Sequence, residues 1–469
     1  MRSAKLTMAK ILTVLIVACG LQMSATAQEN SPYSRYGLGD LTPNHNIFTR
    51  GMGGISAGVA DFITLDPTNN NKPNTFKLQS TNNTGINFTN PASLSTIGNT
   101  IFDIGLDVDY RILKSTNPAK KFTSANTYIS YLQLAFPLAT AKMRKKDIGW
   151  AMSLGLKPVS KVNYKIQENV RNTNINDSTS TLYEGTGGAN QAFIGTGVRI
   201  KNFSIGVNAG YMFGNKDISA VKSIINDTVY YYTSNHADKT SFGGFFINGG
   251  IQYDLPLARN GKEITRNLRL GVYGNLQQTL NASNDLIRET IVYDANGNQY
   301  RLDSVYQNNV KGKIKYPAMV AFGGVYQDAN WLIGADFEYG SWSSYRFYGQ
   351  TDQVQNNWTV RVGTQYFPLT DKKQNRRYLN YVKYRVGAYY GPDYIKTTVN
   401  RPQYGFTVGT GMPLTSVKRS NAYAGYVVLN TGLEFASRGN KQTNVRESLV
   451  RFNVGISMNA LWFRKPKYN

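Results

Sequence analysis

Past residue 100 the sequence keeps returning to one pattern: roughly ten residues of strict apolar–polar alternation, then a polar break. Phe102, Ile104, Leu106, Val108, Tyr110 and Ile112 alternate with Asp103, Gly105, Asp107, Asp109 and Arg111. Trp331, Ile333, Ala335, Phe337 and Tyr339 alternate with Leu332, Gly334, Asp336 and Glu338, and Val450 to Met458 repeats the scheme around Arg451 and Asn453. Period two puts each apolar set on one face of an extended strand. No apolar run beyond the N-terminus approaches the ~20 residues that a spanning helix needs. A membrane-spanning barrel asks for apolar residues only at alternate positions, so it stays open.

A soluble sandwich would alternate in the same way, and loop lengths separate the two. Strands are expected near 101–113, 127–139, 147–160, 190–199, 203–214, 241–253, 268–280, 316–326, 331–339, 358–366, 381–390, 404–413, 423–435 and 448–459. The first, third, fifth and seventh connections are long, whereas 199–203 and 326–331 are short. Long outer loops and short inner turns on an even strand count are the outer-membrane barrel arrangement. Tyr389, Tyr390, Trp358, Tyr366, Phe367, Trp462 and Phe463 gather near strand ends, as interfacial aromatic girdles do. The last strand can pair with the first and remove both edges. Charged residues amount to 17 %, below the usual ~25 %. The expected fold is all-β: a transmembrane antiparallel β-barrel of about fourteen strands over 101–469, with 28–100 as a plug in the lumen. The inward Asp103, Asp107, Asp109, Arg111, Asp336, Glu338, Arg361, Lys383, Arg385 and Arg451 are then expected to line a wet lumen.

Residues 1–27 read as a secretory signal: Arg2, Lys5 and Lys10, an apolar stretch over 11–21, and Ala25-Thr26-Ala27 before Gln28. Ile16-Val17-Ala18-Cys19 also fits a lipoprotein signal, but Cys19 lies inside the apolar core, which favours cleavage after Ala27. That cleavage leaves no cysteine, hence no disulfide frame or thiolate metal site. The formal charge is +24, three units of it in the signal. An exported chain with dispersed charge points away from nucleic acid and toward an anionic membrane surface, outer-membrane lipid and lipopolysaccharide included, or acidic protein partners. Strand parity assigns Lys142, Arg144, Lys145, Lys146, Lys372, Lys373, Arg376 and Arg377 to periplasmic turns, an expected basic rim.

Residues 28–100 do not alternate. They contain Thr49-Arg50-Gly51-Met52-Gly53-Gly54-Ile55-Ser56-Ala57-Gly58-Val59-Ala60-Asp61 and Ile86-Asn87-Phe88-Thr89-Asn90-Pro91-Ala92-Ser93-Leu94. Downstream come Gly323-Gly324-Val325-Tyr326, Gly334-Ala335-Asp336-Phe337-Glu338-Tyr339 and Tyr384-Arg385-Val386-Gly387. With these motifs, in this order over nearly the whole chain, the sequence resembles the FadL-type outer-membrane transporter family. The opening Asn30 to Gly37 and the closing Trp462 to Lys465 resemble Bacteroidetes-type members, PorV-like variants included. The resemblance implies a fourteen-stranded barrel with an N-terminal hatch that passes hydrophobic molecules such as fatty acids. It makes Asn90, Pro91 and Ala92, with Phe88 beside them, the gate. It makes the third strand the bent one with a side opening, where Pro158 stands. Two departures are an added polar stretch around 64–84 and the lack of an apolar lumenal track.

Catalytic readings are weak. Gly51-x-Gly53-Gly54 follows no strand, and His236 with Asp238 falls in a polar connection. The chain is expected to be no enzyme and to hold no cofactor or metal. Two functions remain. The one ranked first is a plugged channel for uptake of hydrophobic small molecules such as fatty acids. The other is a non-transporting subunit or adaptor of an outer-membrane secretion or barrel-assembly machine.

Overall fold

Alternating strands that run on from Thr100 to Ala460 close on themselves in the computed structural model. It describes residues 31–60, 85–116, 119–172, 177–226, 229, 231–260, 263–294, 299–368, 377–396, 399–414 and 426–460. The barrel strands are β1 (Thr100–Thr116), β2 (Ala119–Pro137), β3 (Ile148–Asn172), β4 (Asp177–Ile200), β5 (Phe203–Ile225), β6 (Thr233–Asn260) and β7 (Glu263–Asn275). They continue as β8 (Met319–Gln327), β9 (Trp331–Gly340), β10 (Asn357–Tyr366), β11 (Lys383–Pro392), β12 (Pro402–Pro413), β13 (Tyr426–Arg438) and β14 (Val445–Ala460). Each pairs antiparallel with its neighbours, and β14 pairs with β1 from Val445↔Ser115 to Ala460↔Thr100. The ladder is therefore a closed fourteen-stranded barrel, as the alternation and loop count require.

Face assignment follows the sequence period. On β1, Leu106, Val108 and Tyr110 are exposed while Asp103, Asp107, Asp109 and Arg111 are buried; on β14, Phe452 and Met458 are exposed while Arg451, Asn453 and Ser457 are buried. An apolar outward band around a closed barrel places the chain in the bacterial outer membrane.

Two expectations need correction. The connections read as long loops are largely strand. β3 and β4 run to Asn172 and from Asp177, β5 and β6 to Ile225 and from Thr233, and 280–316 carries an extra hairpin, Gln278–Tyr293 with Gln299–Tyr316. Strand pairing needs backbone partners, not apolar faces, so it continues above the membrane where alternation fades. The lumen around the inward charges is also only partly open: Asp103 and Asp107 on β1 are packed against residues 31–60 and 85–97, whereas Arg111, Glu338, Arg361 and Arg451 line a cavity. Val454→Arg on the lipid face should cost about 2–4 kcal/mol. Asn453→Arg should now be as disruptive, because Asn453 is buried and its Nδ2 donates to Asp107 at 3.2 Å. Gel mobility of heated and unheated protein reads both; a tolerated Asn453→Arg would mean that the lumen there is open after all.

Candidate functional site

The site is the barrel interior, where the N-terminal segment meets the inward faces of the strands. Its first anchor is Arg50, in the short helix Ile47–Arg50 that Asn46 caps by accepting from Thr49 N. Arg50 Nη1 donates to both carboxylate oxygens of Asp107, at 2.9 and 2.7 Å, and its Nη2 lies 3.6 Å from Glu434. Arg451 ties Asp109 to Glu434, contacting the latter at 3.2 Å. Buried charges persist only when paired in this way.

After Arg50 the chain turns through Gly53 and Gly54 at φ +69° and +84°, a left-handed pair that side chains disfavour. The turn lies so close to the wall that a Cβ on Gly363 or Gly387 would strike the backbone of Met52 and Gly53. Asp336 then accepts from the backbone N–H groups of Ser56 and Ala57, and Arg269, itself paired with Asp254 at 2.7 Å, donates to Ala60 O at 3.2 Å.

The expected gate residues fall on the far side. Asn90 is fully buried and caps the 3₁₀ turn Pro91–Thr96, accepting from Ala92 N at 3.1 Å and donating to Ala57 O at 2.7 Å. Gly206 and Gly250 make room for Pro91 and Asn90, since a Cβ on either would overlap them. Phe88 packs on Tyr131 and Phe193 with ring centroids 5.5 and 6.4 Å away, and Lys157 Nζ sits 4.7 Å over its ring.

Pro158 lies beside that cluster, at a β-bulge between Pro158 and Ser160 in the β3–β4 ladder. Among the described residues, β2 and β3 pair only from Leu132↔Leu156 to Pro137↔Ala151. Beyond that point the two strands part, and the N-terminal segment takes the vacated edge of β3. Thr42 Oγ1 donates to Pro158 O at 2.9 Å, Thr42 N donates to Val159 O at 3.1 Å, Asp40 and Leu41 pair with Lys161 and Ser160, and Ser31 N donates to Asn163 O at 3.2 Å. Proline has no N–H to give a neighbour, which suits the place where pairing changes partner.

The basic residues stand apart from these groups. Lys142, Arg144 and Lys145 fall in the helix Ala141–Lys145, with Lys146 next to it, in the β2–β3 turn, and Arg377 is exposed in the β10–β11 turn at the same end. Lys372, Lys373 and Arg376 lie outside the described residues, as do residues 1–30 with Cys19 and the signal, and the polar stretch 64–84.

Sequence reasoning missed Arg50 as an anchor; the signal available was a lone cation in a glycine-rich stretch, facing strands with several inward acids. It also passed over His45, whose Nδ1 is 3.0 Å from Ser56 Oγ. That pair is not a nucleophile and its base. Arg361 Nε donates to His45 Nε2 at 3.3 Å, so the proton sits on Nδ1 and points at Ser56, whose hydroxyl faces Gly54 O at 3.2 Å. Burial, then Arg361, Arg50 and Lys157, hold His45 well below its ordinary pKa, so it stays neutral.

Above the segment remains a cavity of 220 Å³ whose lining includes His45, Arg50, Glu338, Arg361, Trp342 and Tyr389. Among the described residues this lining mixes acids, cations and aromatic rings rather than forming an apolar track.

Comparison with known proteins agrees with this architecture. The toluene transporter TodX of Pseudomonas putida is similar at 16% identity, over 90% of this chain and 99% of that one, with a TM-score of 0.50. A Pseudomonas aeruginosa FadL homologue is similar at 12% identity, over 90% and 99%, also at 0.50. At such identities the likeness shows the fold, and that fold is the one the FadL-type resemblance implied. No curated protein matches the chain. The protein-family comparison gives a different family name from that resemblance: the BamG family model matches residues 8–469, so the chain belongs to the BamG family.

Proposed function

We propose that this chain is a sealed outer-membrane barrel acting as a subunit or adaptor of an outer-membrane assembly or secretion machine. The observation that carries this reading is the filled lumen. The N-terminal segment meets inward groups of strands on opposite sides through buried ion pairs and backbone contacts at Gly363 and Gly387. A permeation path must run the length of the lumen, and the segment pinned to the wall by these contacts lies across it beside the 220 Å³ cavity. A barrel that does not conduct still supplies a rigid membrane anchor. The expected basic periplasmic rim gives such an anchor a surface for acidic partners. Reversing Lys142, Arg144, Lys145 and Lys146 to Glu should release co-purifying protein partners while heat-modifiable folding stays normal. Wild type that purifies alone, at stoichiometry one and without partners after gentle solubilisation, would sink the adaptor reading.

A second reading rests on one observation, the parting of β2 and β3 at Pro158. Uptake of a hydrophobic small molecule such as a fatty acid would use that gap as its exit, with Asn90, Pro91 and Ala92 as the gate below. Replacing those three by glycines removes the φ restraint of Pro91 and the cap of Asn90. The uptake reading expects altered entry of a hydrophobic probe in cells carrying this variant. Identical uptake in wild type, variant and cells lacking the protein leaves only the adaptor.

A further inference from the structure

The hairpin Gln278–Tyr293 with Gln299–Tyr316 stands on the outer end of the barrel, and its second strand carries Lys311, Lys313 and Lys315 at alternate positions. Period two puts all three on one face. Cross-strand rows show which face. Phe213, Gly243, Asn281 and Lys313 lie opposite one another in successive strands, and Phe213 is exposed on the outer surface, whereas Ile314 is buried inside. The lysines therefore point outward, about 7 Å apart along the strand.

Their height is set by what lies beneath. Phe245, two residues from Gly243 toward the membrane, is 81% exposed and makes an edge-on contact with Tyr211 at 5.7 Å; Leu276 is 83% exposed. Aromatic and apolar groups this exposed on a barrel belong to the outer girdle, where acyl chains meet headgroups. The lysine row starts at that level and rises from it.

A fourth cation joins them. Arg346 is the cross-strand partner of Lys315, and like charges directly opposite destabilise a ladder. Among the described residues Arg346 Nη1 donates to the carbonyls of Ser343 and Tyr345, at 2.8 and 2.7 Å, and Lys311 to Asn309 at 2.8 Å. Among the described residues no ion pair neutralises any of the four, although the upper hairpin pairs its own charges, as in Arg301–Glu289 at 2.7 Å. Four clustered cations at headgroup height, left without acids where acids are near, match an anion supplied from outside.

We propose that Lys311, Lys313, Lys315 and Arg346 form a docking site for the phosphate groups of a phosphorylated glycolipid in the outer leaflet. The lipid's acyl chains would lie along Phe245 and Leu276, and its phosphates along the lysine row. The multivalent spacing favours a headgroup with more than one phosphate over a single free ion.

The test uses the full-length protein in neutral detergent, with lipopolysaccharide, its enzymatically dephosphorylated form, and inorganic phosphate as probes. Wild type should bind lipopolysaccharide about a hundredfold more tightly than the K311Q/K313Q/K315Q variant, whose three lost charges each weaken attraction to an anionic leaflet. Dephosphorylated lipid should bind both proteins equally weakly, and millimolar phosphate should leave the lipid in place. Equal lipopolysaccharide affinity in wild type and variant overturns the proposal, and so does displacement by inorganic phosphate. Arg346→Gln gives an independent readout: its melting temperature should exceed that of wild type in lipid-free detergent, where repulsion from Lys315 is relieved, and fall below it once lipopolysaccharide is present. Shifts of the same sign in both conditions reject the site.

Discussion

Arg50→Met should free the N-terminal segment from the barrel wall while leaving the fourteen-stranded ladder intact. The substitution keeps most of the length of the side chain but leaves Asp107 buried without its cation, and removes the second arginine from Glu434. Breaking one partner out of a buried pair costs about 3–5 kcal/mol, because the remaining charge cannot be rehydrated. Closed-barrel pairing does not pass through Arg50, so the loss falls on docking of residues 31–60. Protease cleavage within that stretch, followed against urea, should begin at markedly lower urea than in wild type. Adding Asp107→Leu removes the orphaned charge and should restore part of the resistance. Unchanged cleavage in Arg50→Met would show that the glycine contacts alone hold the segment.

Gly387→Val should open the lumen. Its Cβ would fall on the backbone of Met52 and Gly53, and backbone cannot move aside as a flexible side chain can. Overpacking commonly costs about 1–3 kcal/mol when neighbours can adjust, and here the turn at Gly53 and Gly54 is fixed from both sides by its positive φ and by Val362 and Ala388. The strand itself tolerates valine well, since β-branched residues suit extended backbone. Single-channel steps should therefore appear in planar bilayers with Gly387→Val, while heat-modifiable mobility stays that of a folded barrel. Conductance equal to that of wild type would mean that the segment does not occlude the barrel at this wall.

Much of this was written along the chain. Strand period, strand number and facing come from alternation that each segment states locally: Asn453 is inward because Phe452 and Val454, its neighbours on either side, are apolar. The aromatic girdle was legible only in part: Trp358, Tyr366 and Tyr390 are exposed, whereas the Tyr389 hydroxyl donates to Glu434 inside the barrel and Phe367 is buried. The long hairpins were hidden, because above the membrane the outward face meets water in place of lipid and turns polar, as at Lys311, Lys313 and Lys315, so the apolar–polar contrast that marks a strand fades.

The interior obeyed other rules. That Arg50 meets Asp107 and Glu434, that Asp336 receives two backbone N–H groups, and that glycines far apart in sequence line up against Met52, Asn90 and Pro91 are all consequences of closing the ring. Alternation fixes that a side chain points inward and says nothing about what it meets across the lumen. Only the closed barrel brings β1, β6, β9, β11 and β13 around one segment, and only then do mid-strand charges that look solvated become buried partners. The same holds for Pro158: its missing N–H is legible in the sequence, but that Asp40 and Leu41 replace β2 beside it is decided by the tertiary structure, because the edge it leaves must find backbone partners wherever the fold supplies them.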